Sequence, residues 1–191
     1  EPYYLDEASA FAARALGVEP GMDVLDMCAA PGGKTLILAQ ALQGKGSLQS
    51  NDRSPDRRQR LSHVLENTLP EEYRKIVQIS GYDGVRFGMY RKETFDRILL
   101  DAPCSSERHV MESEKYLAEW SQKRISHIAI TQGSLLASAV DALKPGGQMI
   151  YSTCALSKME NDDVVRKNKK KRKGKVRVLE MKPDIPGTDQ T

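Results

Sequence analysis

Five short apolar stretches, each closing on an aspartate or a cysteine and each set between helical segments, leave this chain few folds to adopt. They are MDVLDM (22–27), SLQSND (47–52), residues 76–80 ahead of Gly81-Tyr82-Asp83-Gly84, FDRILLD (95–101) and QMIYST (148–153), which leads into Cys154. Helical signals separate them. Asp6 is placed to cap a helix over 7–16 that stops at Gly17. Leu36, Ile37, Leu38, Ala39 and Leu42 define a helix over about 35–43. Ser54-Pro55 is an N-cap and first-turn pair for a helix through Leu61 and Leu65. Ile125, Ile128, Leu135, Leu136, Ala139, Val140 and Leu143 recur at helical spacing, with Lys144-Pro145-Gly146-Gly147 as the stop. Ser157 and Glu160 fit a capping box for one more helix, and residues 176–179 read as the start of a sixth strand. Strands alternating with helices predict an α/β fold, a mainly parallel sheet with helices on both faces. In such sheets ligands lie in the crevice beyond the carboxyl ends of the strands. Asp26, Asp52, Asp83 (just past its strand), Asp101 and Cys154 all fall there.

Composition narrows the function classes. At 191 residues and 39% hydrophobic, the chain suits one domain with a sizeable core and excludes wholesale disorder. No apolar run reaches bilayer length and no signal-peptide pattern opens the chain, so an intracellular protein is expected, cytoplasmic or mitochondrial. The sequence begins at Glu1 rather than methionine and reads as a fragment or processed product. Cys28, Cys104 and Cys154 are too few and scattered for a disulfide framework. His63, His109 and His127 lack metal-ligand spacing, so no metal is expected. The net charge of +3 conceals an asymmetry: residues 166–191 hold ten Lys/Arg against three Asp/Glu, leaving the first 165 residues at −4. The excess sits in RKNKKKRKGKVR (166–177), expected as a solvated loop able to touch a phosphate backbone. The division expected is a core over 1–165, then a basic loop and the start of a truncated C-terminal strand over 166–191.

The loop Cys28-Ala29-Ala30-Pro31-Gly32-Gly33-Lys34-Thr35 invites two misleading comparisons. Gly33-Lys34-Thr35 copies the end of a phosphate-binding Walker loop, but that motif requires glycine where Cys28 stands. The GxGxxG spacing of a dinucleotide fingerprint is absent too. Small residues still let the backbone approach a ligand, and the helix that follows presents N–H groups to an anion such as a carboxylate. Asp52 is placed to accept hydrogen bonds from ribose hydroxyls, a role that serves nicotinamide and S-adenosylmethionine cofactors alike. Asp83 suits either an adenine amino group or a simple turn before Gly84. Asp101-Ala102-Pro103-Cys104 is more specific, because Pro103 pushes Ala102 toward extended backbone and so presents Cys104 at the sheet edge. Cys154 follows fifty residues later, and adjacent parallel strands would bring both thiols to one crevice. Spacing alone does not choose which thiol acts.

Taken together, LDMCAAPGGKT (25–35), DAPCS (101–105) and YSTC (151–154) resemble the NSUN (NOL/NOP/Sun, Fmu-like) family of RNA cytosine-5 methyltransferases, over about residues 3–165. The wording at 103–108 and the entry at Tyr3-Tyr4-Leu5 are most similar to its short organelle-type members. The resemblance implies a Rossmann-like class I S-adenosylmethionine-dependent methyltransferase fold, and formation of 5-methylcytosine in rRNA or tRNA. It implies Cys154 as the nucleophile toward carbon 6 of cytosine, with Cys104 helping in proton removal and release. Asp101 and Lys34 are implied to line the base pocket, where Lys34 would also favour a thiolate. S-adenosylmethionine is implied against Cys28, Ala29, Ala30, Pro31, Gly32, Gly33, Lys34, Asp52, Asp83 and Asp101, with no metal. A cytosine must leave its stack to reach the thiols, so single-stranded or looped RNA is the expected substrate.

Family members usually carry an RNA-binding region ahead of the catalytic domain and final strands that complete the sheet. On that pattern the C-terminal strands here are expected to be incomplete. RNA affinity is expected to come partly from an accessory RNA-binding protein or further segments. The rivals are a catalytically silent RNA-binding or assembly factor, expected to lose a motif cysteine or an edge aspartate, an amine or oxygen methyltransferase, whose chemistry needs no thiol, and a nicotinamide dehydrogenase, whose glycine spacing fails. No membrane is expected as a partner.

Overall fold

The computed structural model describes residues 3–105 and 121–180; residues 106–108 of the motif wording and 181–191 of the basic stretch lie outside them. In chain order the elements are α1 (Glu7–Ala15), β1 (Asp23–Asp26), α2 (Gly33–Leu42), β2 (Ser47–Asn51), α3 (Pro55–Thr68), α4 (Glu71–Arg74) and β3 (Val77–Ser80). A 3-10 turn (Gly84–Arg86) then leads to α5 (Phe87–Tyr90), β4 (Phe95–Asp101), α6 (Gln122–Ala142), β5 (Leu143–Ser152) and α7 (Asp162–Lys171). The strands form one sheet in the order β3-β2-β1-β4-β5, with every pairing parallel.

A parallel sheet covered on both faces needs strands that are apolar on both sides. β4 supplies this with Ile98, Leu99 and Leu100, all fully buried. Leu99 joins Val24 under α1, α2 and α3, packing with Leu36, Leu38, Leu42, Leu61 and Leu65. Ile98 and Leu100 join Leu25 on the opposite face, against Phe87, Leu135, Leu136, Ala139 and Val164. The expected doubly covered sheet is therefore present. Its caps are those the sequence predicts: Asp6 Oδ1 accepts from Ser9 N–H (2.9 Å) and Ser54 Oγ from Arg57 N–H (3.4 Å). Strand order reverses at β1, so a crevice opens between the carboxyl ends of β1 and β4.

The structure corrects several expectations. α2 begins two residues early because Gly32 takes φ +121°, which only glycine adopts readily, and turns the loop straight into the helix. α6 stops at Ala142 rather than at the Lys144–Gly147 signal. β5 already pairs at Leu143 with Phe95 and resumes at Gln148 with Arg97, so Lys144-Pro145-Gly146-Gly147 bulges from the strand. Ser157–Glu160 is not a capping box. Its Ser157 Oγ accepts from Met159 N–H (3.3 Å), Asn161 takes the N-cap position of α7, and Glu160 turns inward to full burial.

The basic run is not a loop throughout. Residues 166–171 are the second half of α7, which crosses the expected 165/166 boundary because Val164 and Asn168 give it a buried face. Lys169, Lys170 and Lys171 lie in its last turn, where cations complement the helix dipole. Arg172 follows, paired with Asp141 and donating to the Ala137 carbonyl (2.8 Å). Residues 176–179 join no ladder among the described residues: Lys173 and Gly174 turn the chain at positive φ, and Val178 and Leu179 remain exposed.

The bulge has a structural use. Lys144 Nζ reaches Asp96 Oδ2 (2.8 Å) and Asp23 Oδ2 (2.9 Å), and Asp96 Oδ2 also accepts from Asp23 N–H (2.8 Å). These bonds, to Asp96 first and Asp23 second, raise the Lys144 pKa. Asp23 is held below the usual carboxylate range by the Ser47 hydroxyl and then by Lys144. Burial alone would raise Asp96, but Lys144 and the Asp23 N–H outweigh it. Lowered acids stabilise above their unfolded pKa, and that contribution vanishes as pH falls through the folded value; a raised lysine contributes until pH climbs past 10.5. Lys144→Met is therefore expected to lower Tm by about 2–4 °C at pH 7, the scale of a half-exposed network worth about 1 kcal/mol. The difference from wild type should shrink progressively in melts as pH falls below 3.8.

Candidate active site

A cleft of about 220 Å³ opens beyond β1 and β4. Its floor is the loop after β1 and the first turn of α2, through Cys28, Ala29, Ala30, Pro31, Gly33 and Lys34. Its walls are Asp26, Asp101 and the N-terminal residues Tyr3, Tyr4, Leu5, Asp6 and Ser9. Gly33 must be small because a Cβ there would stand 2.5 Å from Leu5 Cδ1 and 2.9 Å from the Tyr3 ring. Gly32 faces away from the cleft, toward Leu61 and Val64 of α3.

Charge is concentrated on this rim. Lys34 Nζ donates to Asp101 Oδ2 (2.8 Å) and Ser9 Oγ (2.9 Å). Asp101 Oδ1 accepts from Ser152 Oγ (2.7 Å), which ties α2 and β4 to the end of β5. Asp26 is buried; its Oδ2 accepts from Thr35 Oγ1 (2.7 Å), while Oδ1 has no partner among the described residues. Burial pushes its pKa up to about 7, with the Asp101 charge adding to the rise. Burial likewise pushes the Cys28 thiol up to about 12, helped by Asp26 and Asp52. That excludes Cys28 as a thiolate at neutral pH.

Asp52 and Asp83 do not line the cleft. Asp52 is buried at the end of β2, where Oδ1 accepts from Ser54 N–H (3.0 Å) and Oδ2 lies 3.1 Å from Arg57 Nη1. Arg57 also donates to the Ala30 carbonyl (2.7 Å), linking Asp52 to the glycine-bearing loop. Asp83 Oδ1 accepts from Val85 N–H (3.3 Å), capping the 3-10 turn.

The two remaining cysteines meet. β4 and β5 are paired neighbours, and beyond their ends Cys104 Sγ and Cys154 Sγ stand 2.9 Å apart. That is hydrogen-bonding contact, longer than the roughly 2.05 Å of a disulfide. Cys154 is exposed and Cys104 half-buried. Sequence reasoning overlooked what holds them. Glu160 accepts from Ser105 N–H (3.0 Å), Ser105 Oγ and Gln132 Nε2 (2.9 Å), and the Tyr151 hydroxyl donates to its carbonyl (2.6 Å). Burial, then the Glu160 and Cys104 charges, shift the Tyr151 pKa upward, which keeps that hydroxyl a donor. No spacing rule points from residue 160 to residue 105. Asp26 had been noted only as a strand end, and its burial is a property of the packed sheet.

Sequence and fold are similar to those of known proteins. The family model described as 16S rRNA methyltransferase RsmB/F matches residues 13–187. The chain is 41% identical over 168 residues to the 5-cytosine rRNA methyltransferase NSUN4 of Bos taurus, covering 86% of this chain and 44% of that protein. It is 38% identical over 164 residues to the mitochondrial tRNA (cytosine(34)-C(5))-methyltransferase of Mus musculus, covering 85% and 47%. The chain thus spans about half the length of these relatives or less. Among solved structures, NSun6 from Pyrococcus horikoshii, determined with SFG, superposes with a TM-score of 0.75 at 30% identity, covering 88% of this chain and 42% of that one. The sheet is thereby that of a Rossmann-like methyltransferase, and the chain belongs to the RsmB/F family of 16S rRNA methyltransferases.

Proposed function

We propose that this chain carries the catalytic centre of an RNA cytosine-5 methyltransferase that takes its methyl group from S-adenosylmethionine. The observation that carries the reading is the pair of thiols 2.9 Å apart at the β4 and β5 ends, beside a cleft lined by small residues and acids. Transfer to an amine or an oxygen would leave that pair without a task.

The cleft fits the cofactor. Asp26 Oδ1 is a buried acceptor without a donor among the described residues, suited to the ammonium of the methionine moiety. The N-terminal turn of α2 presents N–H groups to its carboxylate. Asp52 and Asp83 lie outside the cleft lining; a ribose hydroxyl reaching Asp52 would share its Oδ1 with Ser54 N–H, and an adenine amino group reaching Asp83 would share that carboxylate with Val85 N–H. When bound, S-adenosylmethionine supplies an electrophilic methyl group.

The chain's own residues supply the rest. Cytosine carbon 5 is a poor nucleophile until a thiolate adds to carbon 6 and makes the ring an enamine. Cys154, the exposed thiol, forms that bond. After methylation, Cys104, in its thiolate form, takes the carbon 5 proton; the electron pair of that C–H bond forms the carbon 5–carbon 6 double bond, the carbon 6–sulfur bond breaks, and Cys154 leaves as thiolate. Lys34 and Asp101 fix the rim between cleft and thiols. Exposed Lys167, Lys169, Lys170 and Lys171 on α7 suit an RNA phosphate backbone. Relatives named for rRNA and for tRNA lie at 41% and 38% identity, so the substrate class is structured RNA with an accessible cytosine.

Cys154→Ala is expected to lower methyl transfer to RNA by on the order of 10³ or more while cofactor affinity stays within about twofold. Cys104→Ala should instead accumulate a covalent protein–RNA species, read as a retarded band on a denaturing gel. Full turnover by Cys154→Ala would refute the mechanism. Asp26 has a folded pKa above its unfolded value, so it costs stability as pH rises from about 4 to about 7, and the cost then stays constant. Asp26→Asn should therefore raise Tm at pH 8 and not at pH 4, yet weaken S-adenosylmethionine binding in calorimetry.

A further inference from the structure

Glu160 and Asn161 are adjacent in sequence, and each holds one of the two thiol loops. The Glu160 carboxylate accepts from Ser105 N–H and Oγ and from Gln132 Nε2. Gln132 Nε2 also donates to the Pro103 carbonyl (2.9 Å), so the residues on both sides of Cys104 are fixed. The Asn161 amide does the same for Cys154: its Oδ1 accepts from Thr153 Oγ1 (2.6 Å) and its Nδ2 donates to the Ala155 carbonyl (2.9 Å). Glu160 and Gln132 are fully buried, and Glu160 has no ion-pair partner among the described residues. A buried carboxylate without a cation is costly, and a leucine would fill the space without that cost. What the carboxylate gives in return is position.

We propose that Glu160 and Asn161 are positioning residues that together set the Cys104–Cys154 separation. Neither lines the cofactor cleft, and their hydrogen bonds reach the loops on either side of the thiols. The proposal rests on the two-thiol reading for its catalytic meaning, but the separation can be measured without RNA or cofactor. With diamide, the two thiols lose two hydrogens to form a disulfide, at a rate that depends on how well they are held together. Closure is followed in the purified chain by peptide mass spectrometry, alongside melting temperature.

Glu160→Ala and Asn161→Ala are expected to slow closure about tenfold or more, and Glu160→Gln to stay within about threefold of wild type. The amide can still accept from Ser105 N–H and Gln132 while donating to Ser105 Oγ. Wild-type closure in both alanine variants overturns the proposal. So does slow closure in Glu160→Gln despite a wild-type melt. In a second arm, Glu160→Ala should accumulate covalent RNA adduct as Cys104→Ala does, while Asn161→Ala forms less adduct. Slowed closure with an unchanged adduct fraction would leave the positioning role standing and overturn the covalent reading.

Discussion

Asp101 joins the two parts of this site. It ends β4 at the strand-order reversal, so one oxygen meets Lys34 from the cleft-side helix and the other meets Ser152 at the end of β5. Cys104 lies three residues beyond Asp101 and Cys154 two beyond Ser152, so the carboxylate fixes where both thiol loops depart. A strand inserted between β1 and β4 would separate the glycine-bearing loop from the thiols. The parallel sheet therefore sets the chemistry's geometry before any ligand arrives.

Burial separates three residues of one type into different roles. Cys28 sits in the cleft floor near Asp26 and Asp52, where desolvation raises its pKa, whereas Cys154 is exposed beside Cys104. The same force acts on the acids. Asp26 is pushed toward neutrality by desolvation. A cofactor cation entering the cleft would offset the cost that Asp26 imposes, which couples binding to stability.

Much of this was legible in sequence where the signal is local. Asp6 and Ser54 cap the helices they precede, 95–101 is β4 to the residue, and the two motif cysteines converge because their strands are neighbours. Failures came where tertiary contacts override local pattern. Ser157 and Glu160 have capping-box spacing, but Glu160 finds its donors in Ser105 and Gln132, 55 and 28 residues away. Lys144-Pro145-Gly146-Gly147 has the composition of a helix stop, yet the β5 ladder takes Leu143 first. The basic run looks like solvated chain, yet Val164 and Asn168 supply enough buried surface to make half of it helix. Asp52 was assigned by its place at a strand end, which says nothing of the arginine that covers it.

The central claim is that Cys154 attacks and Cys104 releases. The most direct test is a target RNA carrying 5-fluorocytosine, incubated with the protein and S-adenosylmethionine. Fluorine cannot leave carbon 5 as a proton does, so release is blocked after methyl transfer and the attacking sulfur stays bonded to carbon 6. Digestion and mass spectrometry should find the nucleotide on the peptide containing Cys154. A nucleotide on the Cys104 peptide, or methyl transfer with no covalent species, would contradict the account.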